Sequence, residues 1–369
     1  MDFFAAASPG TERALRDELQ ELGFKRVRLG SGGASFIGTQ EDGWRACLYS
    51  RIAQRVQMPL ATFAAADADA LYEGIRSIDW SPYLSPHHTL AASAFCWSSV
   101  MTHSGFVALK AKDAIVDQIR DRYGVRPSVD REDADVRVFI YLHRDQATAY
   151  LDLAGEPLFR RGYRSEAVEA PLKETLAAAM LRMAGWDRAV PLIDPMCGSG
   201  TIPIEAALWA GNVAPGIFRK QFGFERWVCH DDSARKLMAE LRGDARQRAH
   251  GQTTRIAAAD IAPGALEMAK SNARAARVRI SFREARVQDL QPAGKPGLVI
   301  CNPPYGLRLG ADKQLFDDLA GAVCRQHGWR VALLTGSPDT LRAISLAPSS
   351  TSDLKNGDLD CRLAVYEVP

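Results

Sequence analysis

The spacing of apolar positions divides the chain into three stretches. Near the start, Phe3 and Phe4 open a short apolar run and Ser8-Pro9 marks a helix entry. Leu15, Leu19 and Leu22 then recur on one helical face until Gly23 stops it. Gly30-Ser31-Gly32-Gly33 turns the chain into a short strand from Ala34 to Ile37. This first stretch, residues 1–55, reads as a small α+β unit too small to be stable alone. In the second, residues 56–160, Ser93 to Trp97 is strand-like and a helix runs from about Ala108 to Tyr123. Ala108, Ala111, Ile115 and Ile119 form its buried stripe, and Gly124 ends it. Val136 to Leu142 and Ala147 to Leu153 alternate around His143-Arg144-Asp145-Gln146, which predicts a hairpin. The alanine-rich residues 61–70 read as surface helix or loop.

After the segment Phe159-Arg160-Arg161-Gly162-Tyr163-Arg164, which reads as a flexible linker, the rhythm changes. Over residues 165–369 short apolar runs alternate with helical patterns: Val190 to Ile193, Arg255 to Ala259, Leu298 to Cys301 and Val331 to Leu334. That alternation predicts an α/β domain, a parallel sheet with helices on both faces. Leu363 to Val368 is a last strand. No internal repeat or low-complexity tract is visible.

Composition narrows the function. The 369 residues suit two or three domains, and 47% hydrophobic with 24% charged is ordinary globular composition. Lys plus Arg number 46 and Asp plus Glu 44, a net charge of +2, so any polyanion must be met by local basic charge. The seven cysteines include no CxxC pair, and no His/Cys/Asp cluster has ligand spacing, which predicts no metal and a reducing cytoplasm. No signal peptide is read at the N-terminus, and no apolar run approaches the roughly twenty residues of a membrane helix.

Two loops carry the chemistry. Asp194-Pro195-Met196-Cys197-Gly198-Ser199-Gly200-Thr201 follows one apolar run and precedes a helix. Glycines there admit a ligand to the backbone, and the helix N-terminus favours an anionic group such as a carboxylate. The loop is neither a phosphate-binding P-loop nor GxGxxG. Asn302-Pro303-Pro304-Tyr305 follows a later run. A nucleobase amine is a poor nucleophile because its lone pair is delocalised into the ring. The Asn302 side-chain oxygen and the Pro303 carbonyl can accept its two N–H bonds and aim the lone pair at an electrophile. Two prolines stiffen the loop and remove competing donors, and Tyr305 offers a stacking ring. Each loop alone also reads as a tight turn; together, in one α/β domain, they make a site.

The pair DPMCGSGT and NPPY resembles S-adenosylmethionine-dependent methyltransferases acting on nucleobase amines. HSGFVALKAKDAIVDQIRDRYGVRPSVD, the hairpin and LFRRGYR resemble THUMP-domain RNA methyltransferases, within which the chain is similar to bacterial enzymes making N2-methylguanosine in 23S ribosomal RNA. FFAAASPGTERALRDELQELGF is similar to their small ferredoxin-like domain, and APLKETLAAAMLRMAGW to the segment before their glycine loop. The resemblance implies a ferredoxin-like domain over 1–55, a THUMP RNA-binding domain over 56–160 and a Rossmann-like methyltransferase domain over 165–369. It implies that Asp194, Met196 and the loop from Cys197 through Gly198, Ser199 and Gly200 to Thr201 hold S-adenosylmethionine, with Asp260 on the ribose. Asp260 reads equally as an N-cap before Pro263. Asn302, which also borders the cofactor, Pro303 and Tyr305 would hold the guanine amine. The family places an acid near the adenine; here Arg286 stands in that position, and Asp289 is the nearest acid.

RNA contacts are expected from Lys110, Lys112 and Arg126 and from the linker residues Arg160, Arg161 and Arg164. Asp113, Asp117 and Asp121 make Arg120 and Arg122 a solvated face instead, and His103 reads as a hydrogen-bonded structural residue. Transfer RNA as substrate, a DNA adenine-N6 methyltransferase and a non-catalytic RNA-binding factor stay open as alternatives, as does the oligomeric state.

Overall fold

One strand joins the first two sequence stretches into a single sheet. In the computed structural model, which describes residues 1–164, 172–291, 296–304 and 313–369, β1 (Asp2–Ala6) pairs antiparallel with both β3 (Gly33–Ile37) and β4 (Arg55–Ala64). β2 (Lys25–Gly30) edges β3. On its other side β4 pairs with β8 (Gln146–Asp152), which forms the expected hairpin with β7 (Val136–His143). β5 (Thr89–Trp97) runs parallel to β7, and the two-residue β6 (Ser128–Val129) completes the order β2-β3-β1-β4-β8-β7-β5-β6. Residues 61–64, expected as helix or loop surface, therefore belong to a strand; the helix begins only at Ala68, after Asp67 accepts hydrogen bonds from Asp69 N and Ala70 N.

Four helices pack against this sheet: α1 (Glu12–Glu21), α2 (Gln40–Tyr49), α3 (Ala68–Arg76) and α4 (Ser104–Tyr123). Leu15 and Leu19 are buried on α1 as their spacing predicts, and Gly124 ends α4 in the left-handed region at φ 75°. The first unit lacks a core of its own because its residues and those of the second share one cluster.

In the C-terminal sheet β9 (Leu192–Asp194), β10 (Ile256–Asp260), β11 (Ser281–Glu284), β12 (Leu298–Cys301) and β13 (Arg330–Thr335) run parallel. The expected last strand, β15 (Leu359–Glu367), enters antiparallel to β13, with β14 (Ser350–Asn356) antiparallel beyond it. The order β11-β10-β9-β12-β13-β15-β14 makes β9 and β12 neighbours whose connections leave to opposite sides. Open α/β sheets bind ligands at such a switch point, beyond the carboxyl ends of the strands. Helices α5 (Glu174–Met183), α6 (Thr201–Ala210), α8 (Pro263–Ala275), α9 (Lys313–Cys324) and α10 (Pro338–Ala343) accompany the sheet, and separate apolar clusters pack its two faces.

Residues 212–251 clamp the two halves together. They form two 3₁₀ turns, Pro215–Phe218 and Gly223–Arg226, and helix α7 (Asp232–Arg248). Phe222, Phe224 and Trp227 enter the N-terminal core, where Phe224 stacks on Trp44 at 4.9 Å and 7°. The Arg219 guanidinium donates to the carbonyls of Ala154, Glu156, Pro157 and Arg160 at 2.9–3.1 Å.

The 159–164 segment is likewise anchored rather than flexible. Arg161 is buried, paired with Glu205 of α6 at 3.4 Å, and donates to Leu158 O and Arg51 O. The buried Tyr163 hydroxyl donates to Glu205 Oε1 at 3.1 Å. Arg161 therefore cannot face RNA: it and Tyr163 are both spent on joining the domains.

Candidate active site

The glycine loop is shaped by three neighbours distant in sequence. Gly198 and Gly200 take φ of 51° and 83°, and Gly200 is the N-cap of α6. A Cβ on Gly200 would lie 3.0 Å from the Ala269 Cβ of α8, so close helix approach as well as φ requires glycine there. Asn272 of α8 donates from Nδ2 to Ser199 O at 3.0 Å, a buried brace that no local pattern marks. Asp260, ending β10, accepts from Gly198 N at 2.8 Å through Oδ2 and from Ala262 N at 3.0 Å through Oδ1. It is not the N-cap of α8, which is Ala262; its carboxylate ties the loop to the next strand.

Asp194, at the end of β9, is buried and accepts one hydrogen bond, from Met196 N at 3.1 Å. Burial pushes its carboxyl well above the usual carboxylate range, and repulsion from Asp260 adds to this. A cation bound beside it would favour the ionised form.

Asn302 leaves β12 directly beside β9. A cavity of about 970 Å³ opens between the two loops, within the size range of small-molecule sites. Met196, Cys197, Gly198, Ser199 and Thr201 line it from one side with Asp194 and Asp260; Asn302, Pro303 and Pro304 line it from the other. Gly200 sets the turn without lining the cavity. The Asn302 Oδ1 is buried and has no hydrogen-bond partner among the described residues, whereas most buried acceptors have one. Tyr305 lies outside the described residues.

Two expectations change here. Asp289 is exposed on the 3₁₀ turn Val287–Asp289 and lines neither this cavity nor its neighbour. The neighbouring cavity, of about 320 Å³, brings Arg286 and Val287 against Met196 and Asp260, and Asp318 of α9 lines it too, so a cation and an acid share its wall. Arg164, expected to face RNA, instead lines the large cavity. It donates to Glu174 Oε1 at 2.5 Å and to Thr201 Oγ1 and Leu172 O at 2.8 Å. A guanidinium at the α6 N-terminus is placed for the carboxylate of an amino-acid-bearing cofactor. Arg164→Ala is expected to weaken S-adenosylmethionine binding by about 10- to 100-fold by calorimetry, the range for a hydrogen bond to a charged group; unchanged affinity would remove it from the site.

The front-half candidates are largely neutralised. Lys110 pairs with Asp69 at 3.7 Å over the Tyr72 ring, and Lys112 with Asp113 at 2.5 Å. Arg160 is exposed at the cavity rim but paired with Glu156 at 2.9 Å. Arg126 is exposed. His103 caps α4, its Nδ1 accepting from Phe106 N at 2.9 Å, the structural role expected of it. Among the described residues there is no group of three or more metal-ligating side chains, and no helix is long and apolar enough to cross a membrane.

A glycine loop and an Asn-Pro-Pro loop facing each other across the switch point, with an acid at the next strand end, define an S-adenosylmethionine-dependent methyltransferase domain. Comparison with known families agrees: residues 2–57 match an RlmL ferredoxin-like domain, 65–152 a THUMP domain and 161–365 an RMKL-like methyltransferase domain. The chain belongs to the RMKL-like methyltransferase family. It is 42% identical over 99% of its length to a ribosomal RNA large subunit methyltransferase K/L of Syntrophotalea carbinolica, of which it covers 53%. To the protein of that name from Methylococcus capsulatus it is 44% identical over 100% of its length, covering 51%. The chain thus spans about half the length of these curated relatives. A crystal structure of a protein described as a methyltransferase, complexed with S-adenosylhomocysteine, superposes with a TM-score of 0.87 at 28% identity, covering 100% of this chain and 98% of that one.

Proposed function

We propose that the chain transfers a methyl group from S-adenosylmethionine to the exocyclic N2 amine of a guanosine in RNA, with 23S ribosomal RNA as the leading substrate and the cytoplasm as its place of action. The observation that carries this reading is the Asn302 Oδ1, a buried acceptor with no partner among the described residues, on the cavity wall opposite the glycine loop. The bound cofactor supplies an electrophilic methyl group. Asn302 Oδ1 and the Pro303 carbonyl accept the two N–H bonds of the amine and present its lone pair to that methyl. Transfer to the amine nitrogen would leave the cofactor as a neutral thioether, and the methylated amine would give up its proton to solvent without a strong base. Pro303 and Pro304 hold the loop against rotation, so positioning carries most of the acceleration. The THUMP domain and the large-subunit relatives support RNA over DNA and ribosomal over transfer RNA.

Labelling with tritiated cofactor, followed by mass-spectrometric mapping of methylguanosine in RNA from a deletion strain, tests the proposal. The expected result is one lost N2-methylguanosine in 23S ribosomal RNA. Loss from transfer RNA alone would replace the substrate, label in DNA adenine would replace the reaction, and failure to bind the cofactor would leave a non-catalytic RNA-binding factor.

A further inference from the structure

One group of cations without a carboxylate partner among the described residues lies outside the front half and the 159–164 segment. Residues 255–286 hold seven basic and three acidic side chains, which leaves the rest of the chain net acidic. Arg274, Arg277, Arg279, Arg283 and Arg286 are all exposed, and none of their guanidinium groups makes a hydrogen bond or ion pair among the described residues. Lys270 alone in this group is paired, with Glu267 at 2.8 Å. On α4, by contrast, Lys112, Arg120 and Arg122 each have a carboxylate within 2.5–3.2 Å.

Their placement is linear. β11 is the edge strand of the C-terminal sheet. At its N-terminal end Arg255, Lys270, Arg274 and Arg279 line an open cavity of about 500 Å³ between the starts of β10 and β11 and helix α8. At its other end Arg286 lines the small cavity that touches Met196 and Asp260 of the cofactor site. Arg283 sits on the strand between.

We propose that this sheet edge is the phosphate track of the RNA substrate, with Arg274, Arg279 and Arg283 contacting backbone phosphates and Arg286 marking where the track meets the active site. The inference rests on RNA being the substrate. Like charges crowded without counterions repel one another, and a polyanion relieves that repulsion while releasing its own counterions. Charge on an edge strand also blunts edge-to-edge pairing. That role asks nothing of Arg255 and Arg274, which lie off β11, and does not account for the cavity they share with Arg279.

The test uses the full chain carrying Arg274→Glu, Arg279→Glu and Arg283→Glu together, with in vitro transcribed 23S ribosomal RNA as probe. RNA affinity should fall at least about tenfold, and the log–log salt dependence should flatten by roughly 2–3, one phosphate contact per arginine. Cofactor affinity by calorimetry and the melting temperature should stay unchanged, and the triple Arg→Lys variant should retain binding. Reversing Lys110, Lys112 and Arg160 together should cost less than the arginine triple. Unchanged RNA affinity and salt slope in a folded triple variant would reduce the cluster to edge protection and overturn the track. Failure of the wild-type chain to bind any RNA would overturn the substrate reading and the track with it, a result distinguishable because it needs no variant.

Discussion

Asn302→Ala should lower methyl transfer by at least about 100-fold while leaving S-adenosylmethionine affinity within a few-fold of wild type. Asn302 leaves β12 at the switch point, and its Oδ1 is buried without a partner among the described residues. Keeping such an acceptor dry costs about 1–3 kcal/mol, a cost with no structural return in the free protein. Removing the amide should therefore leave the melting temperature equal or higher. A purely structural asparagine would behave in the opposite way, with stability falling and activity following it. Single-turnover kinetics with calorimetry and a thermal melt separate the two. Asn302→Asp should be worse for both, because a further carboxylate would enter beside Asp194, whose own ionisation burial already disfavours. Normal turnover by Asn302→Ala would end the amine-holding mechanism.

The two loops were legible because their signals are local. Glycine at the left-handed positions 198 and 200, an acid at the end of an apolar run and a proline pair after another are each set by a few consecutive residues. The braces were not. Asn272 on Ser199, Arg219 on four carbonyls and Glu205 on Arg161 join residues tens of positions apart, and a basic linker reads the same whether its guanidinium meets solvent or a buried glutamate. β4 was missed for a different reason. Pro59 breaks its ladder at a bulge, and the alanines after it favour helix locally, so tertiary pairing with β1 and β8 overrides propensity. The apolar run of β15 showed that a strand exists but could not show its direction. The front-half cations look freer in the sequence than they are in the fold, because counting cations along a helix ignores which carboxylates fold onto them from other elements, as Asp69 of α3 does onto Lys110.

Glu205→Ala should destabilise the chain by about 3–5 kcal/mol, the cost of leaving a buried cation unpaired. Glu205 lies fully buried in α6 and accepts from Arg161 Nε and Nη2 at 3.4 Å and from the Tyr163 hydroxyl at 3.1 Å. At roughly 2–4 °C per kcal/mol for a domain of this size, the melting point should drop by roughly 6–20 °C. The comparison that isolates the charge is Glu205→Leu with Arg161→Met. Replacing a buried pair by apolar groups of similar volume is often neutral, so the double variant should recover most of the loss. Recovery stays incomplete, because Arg161 also donates to the carbonyls of Leu158 and Arg51, which would be left without it. Since α6 begins at the glycine loop and Arg51 belongs to the N-terminal unit, the pair ties the N-terminal half to the loop that borders the large cavity. Glu205→Ala should then also shrink the rise in melting point that saturating S-adenosylmethionine produces, which reads the cofactor's dissociation constant directly. A variant that melts like wild type would show that water or a shifted Glu174, already close enough to Arg161 to act on it, takes over the charge.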